Sequence, residues 1–307
     1  MTKLLAICIP TYNGGEYLKY NINKLIDMSL KYNFDICVSD NASTDDTEEY
    51  MLNLMAKYNF VKYHRNGKNM GAAYNFDYVL KMSDTKYAWL LGDDDEIFEN
   101  DIKKIEYVLK EYKPNICILN SLNDKNLKEK IYTDKNEVMN DLGLALTYIS
   151  NYVISKDVIK NINLKIKNNA FPHTIAILKY LEFNKCNLYF LDEITIKSIR
   201  SLSKIRYSDK VIKYFFKDYK EITEYVTNYK SMAKTNFVRK SYELFSFKFL
   251  ANLRRSGAIS LKNLYIFKDN LNLIPNKIKF KMFFVSLMPI CFINIIYYIY
   301  KTYWQKM

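Results

Sequence analysis

Two spacings of apolar residues alternate along the first 120 positions. Residues 4–9 form an unbroken apolar run closed by Pro10, the pattern of a strand buried on both faces. Tyr17, Leu18, Ile22, Leu25 and Ile26 then recur three and four residues apart, which predicts a helix. Residues 35–39 predict a second strand. Ser43, Thr44 and Asp45 are of the types that cap helices, and they precede a helical run to about Tyr58. Residues 61–64 predict a third strand, 71–82 a helix and 87–91 a fourth strand. Asn100 is placed to cap a helix reaching Tyr112, and Pro114 stands before a fifth strand at 116–119.

Strands alternating with helices of this length imply βαβ units and a largely parallel sheet, hence an α/β fold. Ligands of such sheets bind beyond the carboxyl ends of the strands. Four polar clusters fall there: Thr11–Asn13 after the first strand, Asp40 and Asn41 after the second, Arg65 after the third, and Asp93, Asp94 and Asp95 after the fourth. Further on the pattern predicts a helix at 137–149, a strand at 152–155, a helix starting near Pro172 and strands at 188–191 and 194–199. From about Tyr207 the chain reads as helical, basic and aromatic. These shifts divide it into 1–112, 113–206 and 207–307.

With 49% hydrophobic and 26% charged residues, the chain can bury a large core and is not globally disordered. Charge changes the picture more. The net +13 arises entirely after residue 200, where 20 Lys and Arg face 6 Asp and Glu, and no acid follows Asp269. That imbalance points to an anionic partner: a membrane surface, a phosphate-bearing substrate or nucleic acid. No helix-turn-helix, zinc or RNP motif supports nucleic acid. An uncharged apolar run at 282–300, flanked by Lys281 and Lys301, favours the membrane. At 19 residues it could span, lie in the headgroup region or pack against the rest of the chain, and Pro289 disfavours a straight span. Residues 199–206 are either a basic lid over a diphosphate or a linker. Five scattered cysteines without a CxxC pair suit reduced thiols in the cytoplasm, and the N-terminal run is too short for a secretory signal.

The acidic triplet Gly92-Asp93-Asp94-Asp95 is the sharpest chemical feature. Adjacent carboxylates repel, so a cation would stabilise them, and hard oxygen ligands select Mg²⁺ or Mn²⁺ completed by water and phosphate. A solvated acidic turn at a helix start is the alternative. No GxxxxGK[ST] or GxGxxG cradle is present, so a diphosphate here would rely on the metal and on Arg65, Lys68 or Arg200.

Four segments form an ordered set: Ile7-Cys8-Ile9-Pro10-Thr11-Tyr12-Asn13, Val38-Ser39-Asp40-Asn41-Ala42-Ser43-Thr44-Asp45, Arg65-Asn66-Gly67-Lys68-Asn69-Met70-Gly71 and Trp89-Leu90-Leu91-Gly92-Asp93-Asp94-Asp95. Together they resemble glycosyltransferase family 2 enzymes of the GT-A fold, and the last two resemble its abequosyltransferase-like branch. The resemblance implies that Pro10, Thr11 and Tyr12 line a nucleobase pocket, with Asp40 accepting hydrogen bonds from the base. It implies that Arg65 and Asn69 lie near the nucleotide, Asp93 (with Asp94) near the ribose, and Asp95 with Asp93 at the metal. It further implies a UDP- or dTDP-type sugar donor and an inverting displacement, while the basic last third beside its apolar run suits a glycan or polyprenyl-diphosphate-linked acceptor at the inner face of the membrane. The Glu-Asp pair that supplies the family's base is missing from residues 150–190. Phe171-Pro172-His173-Thr174 stands there instead, so His173 is a candidate base, with Asp192 and Glu193 as alternatives. His64, at a strand end, reads as structural. Rival readings are a sugar nucleotidyltransferase, whose basic Gly-rich loop is lacking, and a non-catalytic membrane-docking scaffold.

Overall fold

The computed structural model describes residues 2–199, 210, 213–243, 245–266, 268 and 274–303. Two compact units emerge, one of residues 1–199 with 225–234, the other of 200–224 with 235–307.

The first unit alternates strands and helices as expected: β1 (Leu5–Thr11), α1 (Gly15–Tyr32), β2 (Asp35–Asp40), α2 (Thr47–Lys57), β3 (Val61–Arg65), α3 (Ala72–Lys81), β4 (Tyr87–Leu90), β5 (Asp95–Glu96), α4 (Glu99–Glu111), β6 (Ile116–Leu119), β7 (Lys130–Tyr132), α5 (Lys135–Leu142), β8 (Tyr152–Ser155), α6 (Lys156–Asn161), α7 (Pro172–Phe183), β9 (Leu188–Leu191) and β10 (Lys197–Ser198). Eight strands form one sheet in the order β3-β2-β1-β4-β8-β6-β9-β7. β8 and β7 run against the other six. β1 and β4 lie centrally and are buried on both faces, which is why they read as continuous apolar runs. Ile7, Ile9, Leu18, Ile22, Val38, Trp89 and Ile105 join one core.

Several local expectations are corrected. β1 continues through Pro10 to Thr11. Cys8 turns its carbonyl to Leu91, so Pro10, two residues on, faces the same neighbour beyond the last β1–β4 pair, and its missing N–H costs no ladder bond. Ser43 and Thr44 do not cap α2; Asp45 accepts from Thr47 N instead. Asn100 lies inside α4, where Asp101 accepts from Phe98 N. The helix expected over 137–149 ends at Leu142 and gives way to single 3₁₀ turns at Ala145–Thr147 and Ile149–Asn151. Side-chain partners set its place: the Leu146 carbonyl accepts from the distant Thr174 Oγ1 and from the Tyr152 hydroxyl six residues on. The strand expected over 194–199 shrinks to β10, paired antiparallel with β5.

The second unit is helical, with a π-helical turn at Lys213–Asp218 leading into α8 (Tyr219–Tyr225), then α9 (Ser231–Glu243), α10 (Phe247–Arg255), α11 (Leu261–Ile266), α12 (Asn276–Leu287) and α13 (Ile290–Tyr303). α8 and α9 each run across a boundary between the two units. Phe216, Phe245, Leu250, Ile259, Met282 and Val285 share its core. The apolar run 282–300 is not one helix. It breaks at Met288–Pro289, where Met288 is extended at ψ 133° and Arg254 Nε donates to its carbonyl at 3.2 Å. No helix among the described residues is long and apolar enough to cross a membrane. Residues 200–206 of the supposed lid, Arg200 included, lie outside the described residues.

Candidate active site

The polar clusters meet along the carboxyl edge formed by β2, β1 and β4. Thr11 Oγ1, at the end of β1, donates to Asp93 Oδ2 at 2.8 Å and so ties two adjacent strand ends. Asn21 of α1 reaches the Asp93 carbonyl at 2.9 Å. Gly14 lies beneath this pair: a Cβ there would stand 2.5 Å from Thr11 Oγ1 and 3.0 Å from Asp93 Oδ2.

Asp95 turns the other way, towards the β8 side of β4. Its Oδ1 accepts from Tyr148 at 2.5 Å and its Oδ2 from Ser150 at 2.6 Å. Ser150 also accepts from Gly92 N at 2.9 Å, and its carbonyl takes the Trp89 indole N–H at 2.7 Å. Burial, and then the Asp95 charge, push the Tyr148 phenol far up, so it stays a donor. Asp93 and Asp95 engage opposite neighbours, Asp95 is buried at 4% exposure, and Asp94 gives its backbone carbonyl to Ile199 N. Hydroxyl donors, rather than a cation alone, stabilise the buried carboxylate.

At the end of β2, Asp40 is fully enclosed. Its Oδ1 accepts from Ser43 N and Ser43 Oγ at 2.8 and 2.5 Å, and Tyr63 donates to Oδ2 at 2.8 Å. Arg65 Nε lies 3.7 Å from Asp40 and 3.2 Å from Glu48, while its guanidinium also donates to the Ser43 carbonyl. Ser43 and Thr44 therefore build the site, with Asn13 bonding both. Of the other expected residues, Pro10 is buried, Tyr12 is 37% exposed, and Asn69 and Lys68 are exposed. Asn69 Oδ1 accepts from Asn41 and from Gly71 N, both at 2.9 Å.

Two groups escaped the sequence reading. One is a set of buried asparagines beneath the edge: Asn75 of α3 donates to the Thr11 and Ser39 carbonyls and accepts from Ser39 and Asn66. An asparagine at a helical spacing from the apolar Val79 was the available signal. The other is Tyr148 with Ser150, far from Asp95 in sequence, the tyrosine falling in the segment expected as a helix.

The candidate bases separate. His173 is buried at 2% exposure, set edge-on among Phe76, Tyr152 and Phe171, with Nε2 3.0 Å from the Thr147 carbonyl. Burial lowers its pKa to about 4. Against expectation, this imidazole is enclosed, with its Nε2 against the last residue of the 3₁₀ turn Ala145–Thr147 that precedes Tyr148. Glu193 is exposed, held in the left-handed region at φ 54° and paired with Lys104 of α4. Asp192 lies on the carboxyl edge at the end of β9, about 14 Å (three strand spacings) from the Asp93 turn. Asn120 and Glu193 N both donate to its Oδ1 at 2.8 Å. His64 stacks on Tyr78. A cavity of about 440 Å³ lined by Lys3, Asp35 and Asp84 lies at the amino ends of the strands, away from all of these.

Oxygen ligands of this kind suit Mg²⁺ or Mn²⁺. Among the described residues no three acidic, His or Cys side chains converge as a metal cage. The residues fit a cation bound through one or two carboxylates, because Asp93, Asp94 and Asp95 follow one another directly after β4 and carboxylate oxygens are the hard ligands such ions take.

Known proteins resemble this chain in sequence and in fold. A family model described as Glycosyl transferase family 2 matches residues 6–171. Abequosyltransferase RfbV of Salmonella typhimurium is 26% identical over 216 residues, covering 62% of this chain and 65% of that protein. Poly(ribitol-phosphate) beta-N-acetylglucosaminyltransferase TarP of Staphylococcus aureus is 29% identical over 119 residues, 38% of this chain and 36% of that one. The chain thus spans less than two thirds of either relative. S. aureus TarS 1-349, crystallised with UDP-GlcNAc, superposes with TM-score 0.54 at 15% identity, covering 90% of this chain and 82% of that one. Mannosyltransferase PcManGT from Pyrobaculum calidifontis, in complex with GDP-Man and Mn²⁺, gives 0.60 at 9% identity, covering 93% and 85%. The α/β architecture is the GT-A fold.

Proposed function

The chain belongs to glycosyl transferase family 2, and from that premise we propose that it moves a sugar from a nucleotide-diphosphate donor to an acceptor hydroxyl. The observation that carries this reading is the edge where Asp40 ends β2, Thr11 ends β1 and bonds Asp93, and Asp93 and Asp95 follow the neighbouring β4. The β2 and β4 ends are about 10 Å apart, which suits the two ends of a nucleotide. The nucleotide sugars in the TarS and PcManGT complexes support a donor of this class.

In this reading the base lies by Pro10 and Tyr12 and reaches Asp40 by replacing one of its present donors. Asp93 holds the ribose side, kept in place by Thr11. Asp95, aided by Asp93, would hold Mn²⁺ or Mg²⁺. Such an ion neutralises charge on a departing diphosphate. Arg65 adds positive charge beside the β2 end. Of the three candidate bases Asp192 fits best, since it lies partly exposed on the same edge with Asn120 orienting it. A single displacement with inversion follows if the acceptor enters from that side. A UDP- or dTDP-type donor, and a glycan or polyprenyl-diphosphate-linked acceptor at the inner membrane surface, complete the proposal.

Calorimetry with UDP and dTDP, with Mn²⁺ and with chelator, tests it. Chelation and Asp95→Asn should each weaken nucleotide binding by roughly 10- to 100-fold or more. Equal affinity in all conditions would remove the metal from the reading, and no nucleotide binding at all would remove the transferase.

A further inference from the structure

We infer that α12 and α13 dock the protein onto an acidic phospholipid surface through a phenylalanine ridge on α12. This deepens the reading of the second unit, and it rests on the transferase reading only for the location of the acceptor.

α12 is apolar on two opposite faces. Ile278, Met282 and Val285 are buried in the core of the unit. Phe280, Phe283, Phe284 and Leu287 are 72%, 52%, 50% and 54% exposed. At about 100° per residue the second set centres roughly 180° from the first. One apolar face of a helix is explained by the core; a second, aromatic and solvent-facing, is not. The lysines sort around it. On the same wheel Lys277 and Lys281 flank the ridge on one side and Lys279 on the other. α13 also exposes apolar side chains, Phe292 and Ile295, at 51% and 56%.

Charge decides the occupant. Lysines border the ridge, and no acidic residue occurs between Asp269 and Met307. Protein interfaces deplete lysine, whereas helices lying in a headgroup layer combine an apolar face with lysines that meet lipid phosphate. A span is excluded for α12 by length: its 12 residues reach about 18 Å, against about 30 Å of hydrocarbon. The ridge therefore lies in the interface plane.

The full chain offers its own probe. Cys291, at the start of α13, is exposed, and the other four cysteines are buried. An environment-sensitive fluorophore on Cys291 should shift to the blue when phosphatidylglycerol-containing vesicles are added, and not with phosphatidylcholine alone. Co-sedimentation should fall by roughly tenfold or more for Phe280→Ser/Phe283→Ser/Phe284→Ser, with an unchanged melting temperature. Lys277→Gln/Lys279→Gln/Lys281→Gln should lose the preference for acidic lipid. No fluorophore shift and no sedimentation of the wild type would overturn the proposal. So would a concentration-dependent dimer abolished by the triple Phe substitution without vesicle binding, which would assign the ridge to a second copy. A chain that ignores vesicles yet binds UDP with Mn²⁺ refutes only the docking surface; vesicle binding without nucleotide binding refutes only the transferase.

Discussion

At the scale of single residues, the site depends on buried polar groups whose partners lie far away in sequence. Asp95 is held by Tyr148 and Ser150, and Tyr148 follows directly on the Thr147 carbonyl that His173 engages. Asp93 and Asp95 were legible as site candidates because three acids after an apolar strand are conspicuous. Their supports were not legible, because Tyr148 falls where the spacing suggested a helix and nothing in the sequence ties it or Ser150 to Asp95. His173 makes a pH prediction. Its folded pKa of about 4 lies below the ordinary 6.5, so the unfolded chain binds the proton more readily. Its contribution to stability is complete above pH 6.5 and is lost as pH falls towards 4, about 3 kcal/mol in all. Denaturant titrations across that window should show His173→Gln flattening the acid limb. An unchanged limb would mean that the imidazole does not titrate as its burial requires.

Among the elements, the turns decide more than the strands. The β1–α1 and β4–β5 connections bring backbone so close to carboxylates that side chains are excluded. Gly14→Ala would place a methyl 2.5 Å from Thr11 Oγ1 and break the Thr11–Asp93 bond. The expected result is a loss of about 1–3 kcal/mol in stability with weakened nucleotide binding, read by melting and by calorimetry on the same sample. Wild-type affinity in that variant would mean that the bond does not position the donor site. Strand existence was legible because buried parallel strands are short, apolar and punctuated. Helix starts were less so: Ser43 and Thr44 have capping chemistry but spend it on Asp40 and Asn13, since closing the β2 end takes precedence over a helix terminus. The helix expected through 137–149 failed for a related reason, the capture of the Leu146 and Thr147 carbonyls by residues that include Thr174 and His173.

For the whole molecule, ligand linkage gives a further check. A donor nucleotide with Mn²⁺ at about 100 times its Kd should stabilise the first unit by about 2.7 kcal/mol, and chelator should abolish the shift in a thermal melt. A shift that persists in chelator would assign the binding to cations of the chain. The sequence alone determined the α/β class, the carboxyl-edge residues and the basic, apolar character of the last third, because these follow from local periodicity, motif order and charge count. Only the tertiary structure decided which carboxylates are enclosed, that His173 is buried against the Thr147 carbonyl, and that the apolar run breaks at Met288–Pro289 after a helix with a phenylalanine ridge. Those outcomes depend on which distant groups pair once the chain is packed, and the spacing of residues along one strand or helix does not record that.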